Sequence, residues 1–365
     1  MKKLIIFNPS IDGGGVERNI KLIFGSLNKK LHNKVYFVSC DKLKGLDKSI
    51  INVRPIINIK TRNRIIKYLI SIFSVLKIYL NDKNLVIFAF QANVYAIILS
   101  KLLRIKIIIR ANSAPSVWTN RIKIFIIKKF YHLADKIIVN SYEFQKEVKK
   151  IFNTKSTVIY NPINKKELIY LSRIKKKFPF FDDDKKSLKI INVGRLTYQK
   201  NQIELLKIIN SLKDKIPVKL LIIGNGPEKF KLNEYINNHK LKDHVQILPY
   251  TKNPYVYFKK SQIFILSSLY EGLPNVLLEA TFLKLLCISY KCKTGPNEIL
   301  SNGKGGFLVA KHDIKKISYI LNKYYYSKNR LVFKKMINFS FKGTNRYDLD
   351  TQKNEYHALI MKFLN

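Results

Sequence analysis

Residues Ser267-Ser268-Leu269-Tyr270-Glu271-Gly272-Leu273-Pro274-Asn275-Val276-Leu277-Leu278-Glu279-Ala280 decide how the remainder of the chain is to be understood. They follow Ile263-Phe264-Ile265-Leu266, an apolar β-rich run that reads as a strand. Pro274 suits the opening of a helix, where a missing N–H has no intrahelical partner to lose. Glu271 is therefore expected on the turn and Glu279 within the helix. Backbone N–H groups at 273 to 276 fall in the first turn, and with the helix dipole they make a ready anion site. An anion, a loop carboxylate and a helix carboxylate thus converge at the C-terminal end of a strand. In an open parallel sheet, ligands bind at that end.

Two glutamates at this spacing also occur on ordinary solvated helices, so the surrounding run carries the argument. It resembles the E-x7-E signature of family 4 of the retaining nucleotide-sugar glycosyltransferases. A second block, Cys292-Lys293-Thr294-Gly295-Pro296-Asn297-Glu298-Ile299-Leu300 with Gly303 and Gly306-Phe307-Leu308-Val309, continues the resemblance.

The chain has 365 residues, enough for about two domains with cores of their own. Apolar residues make up 47% and aromatic residues 12%, the profile of a globular protein. With 68 Lys and Arg against 24 Asp and Glu the formal charge is +44, which favours an anionic partner: nucleic acid, an acidic leaflet or a phosphorylated substrate. Cys40, Cys287 and Cys292 are odd in number and lack C-x-x-C spacing, which argues against a disulfide framework or structural zinc and for a reducing, cytoplasmic setting. The opening Met1-Lys2-Lys3, then Leu4-Ile5-Ile6-Phe7, is too short for a signal peptide and reads as a first strand. Asn84 to Ser100 is uncharged but too short and too polar to span a bilayer.

In the first half, strands are expected at 3 to 7, 34 to 39, 85 to 90, 105 to 110, 136 to 140 and 157 to 160. Helices are expected near 16 to 30, 62 to 80, 93 to 103, 120 to 133 and 142 to 151. Such alternation means βαβ units and a parallel sheet. Between the first strand and helix lies Asp12-Gly13-Gly14-Gly15-Val16-Glu17-Arg18, a cluster that lets backbone approach a ligand or simply turns the chain. By resemblance this is the family's N-terminal loop, across the cleft from the donor diphosphate. Arg110-Ala111-Asn112 closes another strand. It reads either as an arginine reaching solvent or, by resemblance, as Arg110 and Asn112 facing the cleft to hold phosphate or acceptor.

Residues 164 to 187 are rich in Lys and contain Pro179 and Asp182-Asp183-Asp184, the profile of a charged connection between domains. The aspartates sit among lysines with no strand end beside them, so they are expected to be solvated, and no metal site is expected. The six histidines show no metal-binding spacing either. A second set of βα units begins at Leu188 to Val193, followed by Gly194-Arg195-Leu196-Thr197-Tyr198-Gln199-Lys200-Asn201. Arg195 as a fork donor and Lys200 as a point charge suit a diphosphate. This segment resembles the family's diphosphate loop.

The resemblance implies an α/β protein of GT-B architecture, two Rossmann-like domains facing each other across a cleft. Residues 1 to 163 would form the acceptor domain, 188 to 345 the donor domain, and 346 to 365 a helix returning to the first. Donor contacts would come from Gly194, Arg195, Lys200, Tyr250, Glu271, Gly272, Leu273, Pro274, Asn275, Val276 and Glu279, with Gly14, Gly15, Arg110 and Asn112 on the acceptor side. Glu279 would hold ribose and Glu271 would orient the sugar, with Arg195, Lys200 and the 273 to 276 amides offsetting leaving-group charge without a metal or other cofactor. The wording of both blocks looks most like bacterial enzymes that extend lipid-linked surface glycans from UDP-sugars. The alternatives are a relative that isomerises or hydrolyses nucleotide sugars, and a basic nucleic-acid-binding protein. No nucleic-acid-binding motif supports the latter, so no nucleic-acid partner is expected.

The segment Asn120 to Leu133 is expected to dock on an anionic membrane. At 100° per residue Arg121, Phe125, Lys128, Lys129 and His132 share one arc, while Ile122, Ile126, Phe130 and Leu133 gather on another that is expected to pack inward. A ring among cations, with Trp118 nearby, suits the headgroup region.

Overall fold

The computed structural model describes residues 1–11, 14–25, 31, 34–53, 55, 61, 63–112, 115, 121–327 and 330–365, with the side chains of Arg121 and Lys123 excepted. Asp12, Gly13, Trp118, Asn120 and the Arg121 side chain, all named above, and position 62, where a helix was expected to begin, lie outside the described residues. The chain divides into two compact units, Met1–Pro162 with Tyr347–Asn365, and Ile163–Arg346.

The first unit carries strands β1 (Lys3–Phe7), β2 (Val35–Val38), β3 (Ile51–Val53), β4 (Leu85–Ala89), β5 (Lys106–Arg110), β6 (Lys136–Val139) and β7 (Thr157–Val158). Its helices are α1 (Gly15–Phe24), α2 (Arg64–Asn81), α3 (Asn93–Leu102), α4 (Arg121–Tyr131) and α5 (Tyr142–Phe152). All seven strands are parallel, in the order β3-β2-β1-β4-β5-β6-β7. The inner strands β1, β4, β5 and β6, buried on both faces, are near-continuous Ile, Val, Leu and Phe, as central parallel strands must be. One face is covered by α2 to α5. The other is covered by α1 and the C-terminal helix, which contributes Tyr356, Ile360 and Leu364.

The second unit begins with α6 (Lys165–Arg173) and α7 (Pro179–Asp182). Strands β8 (Leu188–Val193), β9 (Val218–Ile223), β10 (Val245–Leu248), β11 (Ile263–Leu266), β12 (Leu286–Tyr290) and β13 (Phe307–Val309) follow. They alternate with α8 (Gln202–Leu212), α9 (Lys229–Asn238), α10 (Tyr255–Lys259), α11 (Asn275–Phe282), α12 (Pro296–Ile299), α13 (Ile314–Tyr326) and α14 (Leu331–Gly343). These six strands are also parallel, in the order β10-β9-β8-β11-β12-β13. The last helix, α15 (Leu349–Leu364), belongs to the first unit, where the Lys2 amide donates to the Leu364 carbonyl at 2.8 Å.

The charged connection expected at 164 to 187 is instead a folded part of the second unit. Leu168, Phe178 and Phe181 are buried, and Phe178 meets the Tyr257 ring edge-on at 4.9 Å. Asp182 pairs with Lys260 at 2.5 Å, which holds its carboxyl below the usual range. Asp184 accepts the Ser187 amide at 2.9 Å. The lysines face outward and hide, in the sequence, the aromatic contacts that order the segment.

Candidate active site

Each sheet reverses its strand order once, and a crevice opens at such a point beyond the strands' C-terminal ends. In the second unit the reversal lies between β8 and β11. The loop after β8 carries Arg195 and Lys200, and the loop after β11 carries Glu271, so the topology brings together residues 71 positions apart. Three hydrogen bonds stitch the two loops: Leu269 N to the Gln199 carbonyl (2.9 Å), Gln199 Nε2 to the Tyr270 carbonyl (2.9 Å) and Ser267 Oγ to the Lys200 carbonyl (2.8 Å).

Lys200 Nζ stands 2.5 Å from Glu271 Oε1, with both side chains largely withdrawn from solvent. Arg195, on the same loop, is exposed, and its carbonyl accepts Gln202 Nε2 at 3.0 Å. Thr294 Oγ1 donates to the Glu271 carbonyl at 2.7 Å, and the Cys292 thiol to the Ser268 carbonyl at 3.3 Å, so the second sequence block braces the first. Gly295 has φ +88°, and a Cβ there would lie 1.7 Å from the Gly272 carbonyl oxygen. Only glycine fits that approach.

Helix α11 starts at Asn275 with Pro274 as its cap, and Glu279 is buried within it. Tyr250 is exposed, and its amide donates to Asn225 Oδ1 at 3.2 Å, joining the loops after β9 and β10. Thr197 Oγ1, Asn201 Nδ2, Gln202 Oε1 and Ser268 Oγ are buried and find no hydrogen-bond partner among the described residues. Native interiors contain few such groups.

In the first unit the reversal lies between β1 and β4, where Ser10 N and Oγ both donate to Gln91 Oε1 (3.2 and 3.1 Å). Gly14 and Gly15 stand exposed beside it, and the Gly14 amide is held by Glu17 Oε2 at 2.8 Å. Arg110 behaves otherwise than either expectation, reaching neither solvent nor an open cleft. It is fully buried, lying over the rings of Phe90 (5.8 Å) and Tyr356 (6.0 Å). Its Nε donates to the Tyr356 hydroxyl (2.7 Å), Nη1 to Asn112 Oδ1 (2.8 Å) and Nη2 to Asn161 Oδ1. Asn112 in turn donates to the Phe90 carbonyl at 2.6 Å. Arg110 ties β5 to α15, and Asn112 ties the end of β5 to the end of β4.

Helix α4 is also turned differently from expectation. Ile127 and Tyr131 point inward, the latter because its hydroxyl takes Asn93 Nδ2 at 3.3 Å and its ring meets Phe152 at 5.6 Å. Ile122 and Ile126, expected inside, are exposed together with Phe125, Lys128 and Lys129.

No motif pointed to Glu204, a buried carboxylate in the first turn of α8 that accepts the Tyr290 hydroxyl and contacts His312 Nδ1. Burial, and then the carboxylate itself, push the Tyr290 hydroxyl far up, so it remains a donor. The trio fixes the start of α8, directly after the Lys200 loop. Tyr290→Phe leaves a buried carboxylate short of a donor and is expected to cost about 1–3 kcal/mol in denaturant unfolding. An unchanged midpoint would show that Glu204 is satisfied without it.

The family described as "Glycosyl transferases group 1" matches residues 173–336. An uncharacterised glycosyltransferase of Methanocaldococcus jannaschii is 40% identical over 185 residues, which are 50% of this chain and 46% of that protein. The amylovoran biosynthesis glycosyltransferase AmsD of Erwinia amylovora is 30% identical over 313 residues, 82% of this chain and 84% of AmsD. The N-acetylgalactosamine-N,N'-diacetylbacillosaminyl-diphospho-undecaprenol 4-alpha-N-acetylgalactosaminyltransferase of Campylobacter jejuni is 27% identical, over 85% of this chain and 86% of the relative. Among solved structures, Anabaena HepE in complex with UDP superposes with a TM-score of 0.76 over 99% of this chain and 100% of that one, at 15% identity. Two parallel sheets of seven and six strands with interleaved helices, and a relative matched along most of both chains, lead to one conclusion: the chain belongs to the group 1 glycosyl transferases and has the GT-B fold.

Proposed function

We propose that the chain transfers a hexose or N-acetylhexosamine from a UDP-sugar to a lipid-linked glycan in bacterial surface polysaccharide synthesis. Transfer would proceed with retention, at the cytoplasmic face of the membrane. The observation that carries this reading is the Lys200–Glu271 pair at the strand-order reversal, with Arg195 exposed beside it. UDP in the Anabaena structure and the diphospho-undecaprenol in the Campylobacter enzyme's name support the donor and acceptor classes.

In this reading Arg195 and Lys200 offset the charge that develops on the leaving diphosphate, helped by backbone amides in the 273 to 276 turn. No metal is needed for that task. Tyr250 and its neighbours meet the base, Glu279 takes the ribose hydroxyls, and Glu271 aligns the sugar. Gly14 and Gly15 admit the acceptor. The anomeric C–O bond to phosphate breaks while the acceptor oxygen bonds to the same face of that carbon, and the departing phosphate takes the acceptor's proton.

A thermal-shift panel of nucleotides and sugar nucleotides tests the donor class, since selective binding raises apparent stability. UDP is expected to shift the midpoint most. Arg195→Ala and Lys200→Ala are each expected to weaken UDP binding by about 1–3 kcal/mol, the worth of a charge-assisted contact. Unchanged UDP affinity in both variants sinks the site assignment. Turnover of a UDP-sugar without any acceptor would favour an isomerase or hydrolase instead.

A further inference from the structure

Helices α2, α3 and α4 lie side by side on one face of the seven-stranded sheet. Val75, Ile97 and Ile127, one from each, are buried in a single core cluster, and Tyr68 of α2 meets Tyr95 of α3 ring to ring at 5.5 Å. Their outward sides therefore make one continuous surface. That surface is apolar to a degree that solvent does not favour: Phe73 is 54% exposed, Leu80 80%, Leu102 77%, Ile122 70% and Phe125 67%. On α2, an 18-residue helix about 27 Å long, Leu69, Phe73 and Leu80 fall within an arc of about 40°. Single exposed apolar residues need no explanation, but a contiguous patch across three helices marks a contact surface.

Charge decides what the contact is with. None of the three helices contains an Asp or Glu, and Lys77, Lys128 and Lys129 stand exposed among the apolar residues, while Lys101 pairs with Asp135 at 3.7 Å. A second copy of the chain would bring these lysines against their own images, and an aqueous anion has no use for the leucines and rings between them. An acidic bilayer satisfies both, because the apolar side chains enter the headgroup boundary while lysine stems run along it and their ammonium groups reach the lipid phosphates. Among the described residues no helix is long and apolar enough to cross a membrane, so the contact is in the plane.

We infer that the outward face of α2, α3 and α4 is a docking surface for an anionic lipid bilayer. The inference rests on the lipid-linked acceptor proposed above for its purpose, and it replaces α4 alone with a three-helix plane. Phe125 and Lys129 belong to it, and Ile122 and Ile126 join them rather than the core.

The test is flotation of the full chain with vesicles of phosphatidylglycerol and phosphatidylcholine, or of phosphatidylcholine alone, at low and high salt. Wild type is expected to float with the anionic vesicles at low salt and to be released by high salt. Lys77→Gln, Lys128→Gln and Lys129→Gln combined should lower the floated fraction at least about tenfold at low salt. Leu69→Ser, Phe73→Ser and Phe125→Ser combined should do the same with every lysine kept. Both variants should retain the wild-type thermal shift with UDP, which shows that they are folded. Variants that float as well as wild type overturn the inference, as does a wild type that ignores anionic vesicles. So does a dimer in vesicle-free sizing that the serine set dissolves, since the occupant is then a second copy. Transfer to a detergent-dispersed acceptor is independent of docking: its survival alongside failed flotation would leave the proposed function standing and remove only this surface.

Discussion

Glu271→Gln is expected to lower kcat by about 100-fold or more while UDP binds at least as tightly as to the wild type. The two effects have separate causes. In the proposed reaction the carboxylate aligns the donor sugar, and loss of alignment at the reacting centre commonly costs about two orders of magnitude. UDP alone has no sugar to align. It meets instead a Lys200 whose carboxylate partner at 2.5 Å has been replaced by a neutral amide, so the ammonium is freer to turn to phosphate and one negative charge near the diphosphate is gone. A gain of up to about tenfold in UDP affinity, about 1.4 kcal/mol, is the expected size. The loop should keep its shape, because Thr294 holds the Glu271 backbone carbonyl rather than the side chain. Glu279→Gln should differ by raising the donor KM, because its proposed partner is the ribose, in the ground state as much as in the transition state. Isothermal titration with UDP and initial-rate kinetics on both variants separate these outcomes. A Glu271→Gln protein that loses UDP binding along with turnover would make the residue a brace for the loop and remove it from the chemistry.

What was legible in the sequence follows from how local each signal is. Strands β1, β4, β5 and β6 were read to within about a residue because each is a short apolar run bounded by turn residues, and burial on both faces leaves little room for polar ambiguity. Strand β3 was missed: it is three residues at the sheet's edge, with Ile51 and Asn52 exposed, too short and too polar to stand out. Arg195, Lys200 and Glu271 were legible as loop residues at strand ends, but the meeting of Lys200 with Glu271 needs the strand order.

The errors share one physical origin, a distant partner that overrides the local pattern. Helix α4 offers two apolar stripes, and Asn93 and Phe152, from neighbouring helices, choose between them. The lysines of 164 to 187 dominate its composition, yet Tyr257 supplies the surface on which Phe178 is buried. Glu204 carries no motif and acquires meaning only from Tyr290 and His312, more than 80 residues on. Arg110 was placed correctly at a strand end, but Tyr356, 246 residues away, turns it from a ligand-facing cation into a structural one.

Arg110→Ala is accordingly expected to damage the fold of the first unit rather than acceptor binding. The substitution empties the space between Phe90 and Tyr356 and withdraws the donors from the Tyr356 hydroxyl and from Asn112 and Asn161 Oδ1. Leaving a buried polar acceptor unmet typically costs about 1–3 kcal/mol, and here three lose their donor while the cavity adds to the cost. Relief from holding a cation away from water works in the opposite direction, so about 3 kcal/mol is the expected net loss, a fall in midpoint of about 6–12 °C for a unit of this size. Arg110→Met fills the space and sheds the charge but still leaves the acceptors unmet, and it should fall between alanine and wild type. Tyr356→Phe removes a single acceptor and should cost about 1 kcal/mol. The damage should be local as well, since Arg110 is one of the ties between β5 and α15. Amide exchange in Leu349–Leu364 should rise in Arg110→Ala well before that of β8 to β13. Wild-type stability and wild-type exchange in α15, combined with a raised KM for acceptor, would reverse the assignment and return Arg110 to the acceptor site.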